Sequence, residues 1–249
     1  MRYFVYFSYK GTHYHGWQRQ NNAVTVQQTM EEAFSIIFRA PISLTGAGRT
    51  DTGVHAKMMT AHFDTDADIL SHAEQLTSRL NNFLPRDITI QRIVPVKADA
   101  HARFDALSRT YQYFCTEEKS TFFPELVTRI PKGLDFEEMN RAARILLTTD
   151  DFASFCKLHT DVKTTLCKVS EAEWKRQDEY YVFTIRANRF LRNMVRAIVG
   201  TLLDVGRGKM DVDEFQHIIS LKKREAASQS APSEGLYLVD VEYPESLFF

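Results

Sequence analysis

One order of hydrophobic patterns runs through this chain twice: strand, helix, strand, strand, helix, strand. Residues 2–9 alternate as a strand does. Thr25 reads as a helix N-cap, and Val26, Met30, Ala33, Phe34, Ile37 and Phe38 recur at helical spacing to about residue 39. A short alternating run at 42–45, a loop at 46–56 and a strand at 57–63 follow. A helix over 71–82, interrupted by Pro85, and a strand over 88–94 complete the first set. The second set has a strand at 108–115, then a helix at 135–147 with Met139, Ala142, Ala143 and Leu146 on one face. Strands at 164–176 and 180–187, a strongly apolar helix over 190–205, a short helix over 211–221 and a strand over 236–243 end it. The order β-α-β-β-α-β is that of a ferredoxin-like unit. The expected fold class is α+β: two ferredoxin-like units, residues 1–105 and 106–249, joined into one broad, mainly antiparallel sheet with a central cleft. Ligand sites favour such domain interfaces.

The loop between the second and third strands reads Gly46-Ala47-Gly48-Arg49-Thr50-Asp51-Thr52-Gly53-Val54-His55-Ala56. Its three glycines exclude a helix interior, where each costs about 1 kcal/mol relative to alanine. They suit a backbone that needs positive φ or close approach. One arginine, one aspartate and one histidine sit inside this frame, as charged groups do in a site carried on a scaffold. Three readings compete. A dinucleotide-binding turn fails, because Asp51 stands where the third glycine belongs and a strand follows where the fingerprint opens a helix. An ordinary turn, in which Asp51 and Thr52 bond nearby backbone, stays open. So does a catalytic loop, with Asp51 as nucleophile or base and Arg49 as its electrostatic partner or a substrate clamp.

Hydrophobic residues make up 44% of the chain and charged residues 25%, the balance of a soluble globular protein with a real core. No run approaches the roughly 18 apolar residues of a membrane span, and the first residues do not resemble a signal peptide, so a cytoplasmic protein without membrane attachment is expected. Cys115, Cys156 and Cys167 never stand in C-x-x-C spacing, which favours reduced, buried thiols over zinc. His13, His15, His55 and His62 lack carboxylate companions at ligand spacing, so no metal is expected. Net charge is −1, and no global field draws in an anionic polymer. Between 186 and 209, however, Arg186, Arg189, Arg192, Arg196, Arg207 and Lys209 stand against only Asp204, a local basic patch of the kind that neutralises phosphates. Arg192 and Arg196 are four apart within the apolar helix, hence on one face. They are either a solvated helix flank or a pair of which one reaches into the cleft and pairs with Asp51. Residues 9–20, rich in Tyr, Trp, Arg and Gln, suit RNA contact as well as they suit a loop folded onto the core through Trp17.

Five stretches together resemble the TruA-type tRNA pseudouridine synthases. They are Gly11-Thr12-x-Tyr14-x-Gly16-Trp17-Gln18-x-Gln20, the 46–56 loop, His101-Ala102-Arg103-Phe104 with Arg109-x-Tyr111-x-Tyr113, Phe190-Leu191-x-x-Met194-Val195-Arg196 with Val199-Gly200, and Ala231-Pro232-x-x-Gly235-Leu236-x-Leu238. They occur in the family's order and cover nearly the whole chain. Thr52 stands where the family more often has alanine, and Ala227 where it usually has glycine; neither change removes a functional group. The resemblance implies isomerisation of uridine to pseudouridine in the anticodon stem-loop of tRNA, at positions 38–40 of that RNA, by a homodimer with no metal or organic cofactor. It implies that Asp51 is the catalytic aspartate, Tyr111 a base-stacking, substrate-binding tyrosine that also belongs to the catalytic set, Arg196 the catalytic arginine paired with the aspartate, and Arg49 a residue that helps hold the flipped nucleotide out of the stack. His55 and Arg192 are further expected substrate-binding residues.

Two other classes compete. A non-catalytic RNA-binding module would need neither an aspartate–arginine pair nor a glycine frame around Asp51. A phosphotransferase would need further carboxylates for magnesium close by, and Asp64, Asp66 and Asp68 lie past a whole strand.

Overall fold

The computed structural model describes residues 1–157 and 163–249. They divide into two compact units, Met1–Leu107 with Leu238–Phe249, and Ser108–Tyr237. The C-terminal segment therefore groups with the first unit, across the linear division at residue 105. The reason is local. The Tyr243 hydroxyl donates to the Ala102 carbonyl at 2.6 Å, Lys97 N–H donates to the Leu247 carbonyl at 3.0 Å, and Tyr243 and Phe248 pack on Phe4.

The first unit runs β1 (Arg2–Tyr9), α1 (Val26–Phe38), β2 (Thr45–Gly46), β3 (His55–Asp64), α2 (Ala73–Phe83) and β4 (Ile88–Val96). Its sheet order is β4-β1-β3, with the two-residue β2 also on β3. Every pairing among these strands is antiparallel. Thr25 caps α1 as expected, its hydroxyl accepting from Gln28 N–H at 3.3 Å. Met30, Ala33 and Phe34 are buried, and Phe34 meets Phe63 of β3 edge-on at 5.2 Å. The alternating run at 42–45 is mostly not a strand. Gln27 and Glu31 of α1 take its backbone instead: Gln27 Nε2 donates to the Leu44 carbonyl at 2.9 Å, and Leu44 N–H donates to Glu31 Oε1 at 3.0 Å. β3 starts two residues earlier than expected, because Ala56 pairs with Tyr9 and extends the ladder.

The second unit contains β5 (Ser108–Thr116), β6 (Thr128–Arg129), α3 (Phe136–Ile145), β7 (Val169–Gln177), β8 (Tyr180–Ala187), α4 (Met194–Gly206) and α5 (Val212–Leu221). β9 (Leu236–Glu242) spans the boundary between the units. The sheet runs β5-β8-β7 antiparallel, and β6, which the patterning does not reveal, adds to β5 in parallel. Asp135 caps α3 and Asp211 caps α5, the latter with Glu214 in a reciprocal capping box. Asn140 of α3 binds both the N–H and the carbonyl of Trp174 on β7, at 2.7 and 3.0 Å. The class is thus α+β with mainly antiparallel pairing, and among the described residues no helix is long and apolar enough to cross a membrane.

Candidate active site

Asp51 lies on the connection between β2 and β3, half-buried, between buried Thr50 and exposed Thr52. This connection is keyed into residues 11–17. Trp17 N–H donates to the Thr50 carbonyl at 3.3 Å, Gly53 N–H to the Tyr14 carbonyl at 3.3 Å, and Val54 N–H to the Asp51 carbonyl at 3.2 Å. Gly16 has φ 86°, and a Cβ there would overlap the Thr50 carbonyl oxygen; only glycine meets both conditions. Gly53 has φ 77°, so one loop glycine does serve the positive-φ role. Two buried side-chain bonds complete the frame. The Tyr9 and Thr50 hydroxyls meet at 2.8 Å, and Gly11 N–H donates to His55 Nδ1 at 2.9 Å. The backbone before and after Asp51 is therefore held by β1 and by the 11–17 segment.

That frame decides the reading of residues 9–20. Trp17 and Tyr14 are 3% and 5% exposed, and the indole packs against Phe7 with ring centroids 5.2 Å apart and the planes tilted by 31°. The Tyr14 hydroxyl donates to Asp87 Oδ1 at 2.8 Å, and burial, followed by that carboxylate, pushes the phenol above its ordinary range. The aromatics of this segment support the core, while His13, His15, Gln18, Arg19 and Gln20 face solvent. His55 is 1% exposed. As an acceptor for Gly11 its Nδ1 carries no proton, and the imidazole acts through the loop it braces. Arg49 is exposed on the same loop.

In the second unit Tyr111 projects from β5, opposite Ile185 of β8, and is 9% exposed. Its ring and that of Phe190 lie nearly perpendicular, with centroids 5.0 Å apart. Arg196 lies in the first turn of α4, half-buried. Its Nε donates to the Ala231 carbonyl at 2.7 Å, while Ala231 N–H donates to the Arg196 carbonyl at 2.8 Å. This reciprocal pair straps residues 229–231 along α4. The strap fits because a Cβ on Gly200 would overlap the Gln229 carbonyl oxygen. The same stretch reaches β5: the Tyr113 hydroxyl donates to the Pro232 carbonyl at 2.8 Å, and Phe114 N–H donates to the Gly235 carbonyl at 2.8 Å. The Ala231-Pro232-x-x-Gly235 motif thus ties the strand of Tyr111 to the helix of Arg196, a role that sequence spacing does not express.

Three expectations about this unit are corrected. Arg192 is not on the helix. Asn193 takes a left-handed conformation (φ 65°) with its side chain on Ser230 Oγ at 2.6 Å, so α4 begins only at Met194. Arg192 is an exposed side chain in the preceding turn, and its carbonyl accepts from Lys157 N–H at 3.1 Å. α4 is also not an amphipathic flank: all its residues but Arg196 and Asp204 are buried. Finally, the basic patch is not one patch. Arg207 and Lys209 pair with Asp204 at 2.8 and 3.3 Å, at the far end of a helix about 20 Å long. Arg186 Nε is bonded to Ser108 Oγ at 2.9 Å on the sheet.

Comparison with known proteins shows the family of the chain. Residues 5–105 and 142–244 match the family described as tRNA pseudouridine synthase. The chain is 54% identical over 247 residues to a protein of Parabacteroides distasonis named tRNA pseudouridine synthase A, covering 99% of this chain and 98% of that one. It is 55% identical over 249 residues to one of the same name from Porphyromonas gingivalis, covering 99% of each. A more distant relative of that name, from Acetivibrio thermocellus, is 42% identical over 240 residues, 94% of this chain and 96% of its own. The chain belongs to the tRNA pseudouridine synthase family and is an isomerase.

Proposed function

We propose that the protein converts uridine to pseudouridine in the anticodon stem-loop of tRNA, with Asp51 as the catalytic carboxylate. The observation that carries this reading is the keyed loop: a half-buried aspartate whose neighbours on both sides are fixed by buried bonds to β1 and to residues 11–17. The reaction breaks N1–C1′, turns the uracil and joins C5 to C1′. C5 loses a proton and N1 gains one, so the exchange needs no oxidant and no phosphate donor. An ionised carboxylate serves it by attack at C6 or C1′, or as a base at the sugar.

In this reading Arg196 is the cation that keeps Asp51 ionised. A guanidinium within about 4–6 Å lowers a carboxyl pKa by about 1–3 units, and it stays charged where a lysine would not. Tyr111 supplies the ring on which the everted base rests, and Arg49 occupies the space the base leaves. Arg192 is a contact to the RNA backbone, and His55 contributes by bracing the loop. The working form is a cytoplasmic homodimer without metal or organic cofactor. The test is incubation of uridine-containing tRNA with the wild type, Asp51→Asn and Arg196→Lys, followed by nucleoside analysis. Pseudouridine should form with the wild type alone, and filter binding of tRNA should stay within a few-fold for both variants. Turnover by Asp51→Asn would remove Asp51 from the chemistry, and tRNA binding without any isomer in the wild type would favour a non-catalytic RNA-binding role.

A further inference from the structure

The His101-Ala102-Arg103-Phe104 motif has no part in the chemistry above, yet the backbone of each of its residues is hydrogen-bonded. Arg2 Nη1 donates to the Ala100 carbonyl at 2.9 Å, and Ala102 N–H donates to His62 Nδ1 at 3.1 Å. His101 Nδ1 accepts the N–H groups of Arg103 and Phe104 at 3.1 and 3.3 Å. His101 N–H donates to Asp105 Oδ2 at 2.6 Å, and Asp105 N–H returns to the His101 carbonyl at 3.1 Å. What this frame presents is an aromatic ring in the open. Phe104 is 74% exposed, rests against the His101 imidazole at 4.2 Å, and has the Arg103 guanidinium 5.8 Å from its centroid.

A single exposed phenylalanine is ordinary. One fixed beside a guanidinium on a loop with this many side-chain anchors is preorganised for contact, because little conformational freedom is left to lose on binding. The chemistry of the pair names the partner. A ring face stacks on any unstacked base, and a guanidinium neutralises the phosphate beside it. We propose that Arg103 and Phe104 form a finger that binds the tRNA at a nucleotide other than the reacting uridine, Phe104 stacking on an unpaired base and Arg103 taking the adjacent phosphate. This rests on the assignment of tRNA as substrate but not on the role of Asp51.

The experiment titrates the full-length protein with unmodified tRNA by filter binding over a range of salt, for the wild type, Phe104→Leu, Phe104→Trp and Arg103→Gln. Phe104→Leu, which keeps apolar bulk but loses the ring, should weaken binding about tenfold. Phe104→Trp should bind within about twofold of wild type, and Arg103→Gln should reduce the slope of log Kd against log salt by about one. Thermal melting should be unchanged in all three. Wild-type affinity in both Phe104→Leu and Arg103→Gln overturns the finger. So does a Phe104→Leu variant whose oligomeric mass changes while its tRNA affinity does not, which would make the tip a contact between copies of the chain. Pseudouridine formation by the wild-type preparation is measured alongside: its absence counts against the functional reading, whereas normal turnover with unaltered binding in the variants counts against the finger alone.

Discussion

His62 shows how much a single side chain commits to in this structure. It is 7% exposed, and its Nδ1 accepts the Ala102 N–H at 3.1 Å. Burial, then the Arg2 guanidinium, then His101 lower its pKa from 6.5 to about 4. The folded pKa lies below the unfolded one, so as pH falls the unfolded chain takes up a proton that the folded chain refuses. The stability tied to a neutral His62 is complete above about pH 6.5, drains away toward pH 4 and is absent below, a loss on the order of 3 kcal/mol. His62→Asn keeps an acceptor near the Nδ1 position and removes the titration. Its unfolding free energy, measured in urea at a series of pH values, should fall less steeply than wild type over that window; parallel curves would contradict the account. Spacing singled out none of this. Asp51, Tyr111 and Arg196 are legible as a set only through the motifs they sit in. The bonds that hold the Asp51 loop and Arg196, Tyr9 to Thr50, His55 to Gly11 and Arg196 to Ala231, join residues 41, 44 and 35 positions apart.

Among the helices, α4 departs furthest from its sequence reading. Its apolar run starts at Phe190, but the first residues are drawn into a turn by Asn193 on Ser230 and by the Arg192 carbonyl on Lys157. Hydrophobic period cannot register such partners, because they come from distant chain. Conversely, the Thr25 N-cap of α1 is legible, since a cap bonds to residues two or three positions on. The strap over α4 yields a prediction. A methyl group at Gly200 must displace the Gln229 carbonyl, at a cost of about 1–3 kcal/mol. Gly200→Ala should therefore melt lower, and by shifting residues 229–231 it should disturb Arg196. The expected kinetic signature is a fall in kcat larger than the change in KM. A variant that melts lower with kcat intact would confine the strap to a purely stabilising role.

At the scale of the whole molecule, the chain leaves its first unit at Leu107 and returns to it from Leu238. The returning segment covers the cluster of Phe4, Tyr6, Val96, Ala100 and Ala102 with Tyr243, Leu247 and Phe248. Removing residues 244–249 uncovers Phe4 and breaks the bridge between Val96 and Phe248, at about 2–4 kcal/mol. Hydrogen exchange should then rise at Phe4, Tyr6 and Val96 and stay unchanged through α3; equal loosening of both regions would show that the segment stabilises more than its own unit. The returning segment also donates Tyr243 to the Ala102 carbonyl, and so supports the frame behind Arg103 and Phe104. The sequence by itself determined the α+β class, the positions of the main helices and strands, the Thr25 cap and the family, because these depend on periodicity, local bonding and motif order. Only the tertiary structure decided which glycines are sterically required, that the arginines of residues 186–209 are divided among β8, the turn before α4 and the two ends of α4, that Trp17 and His55 are braces, and that the C-terminal residues complete the first unit. Those outcomes depend on contacts between residues far apart in the chain, which no local pattern encodes.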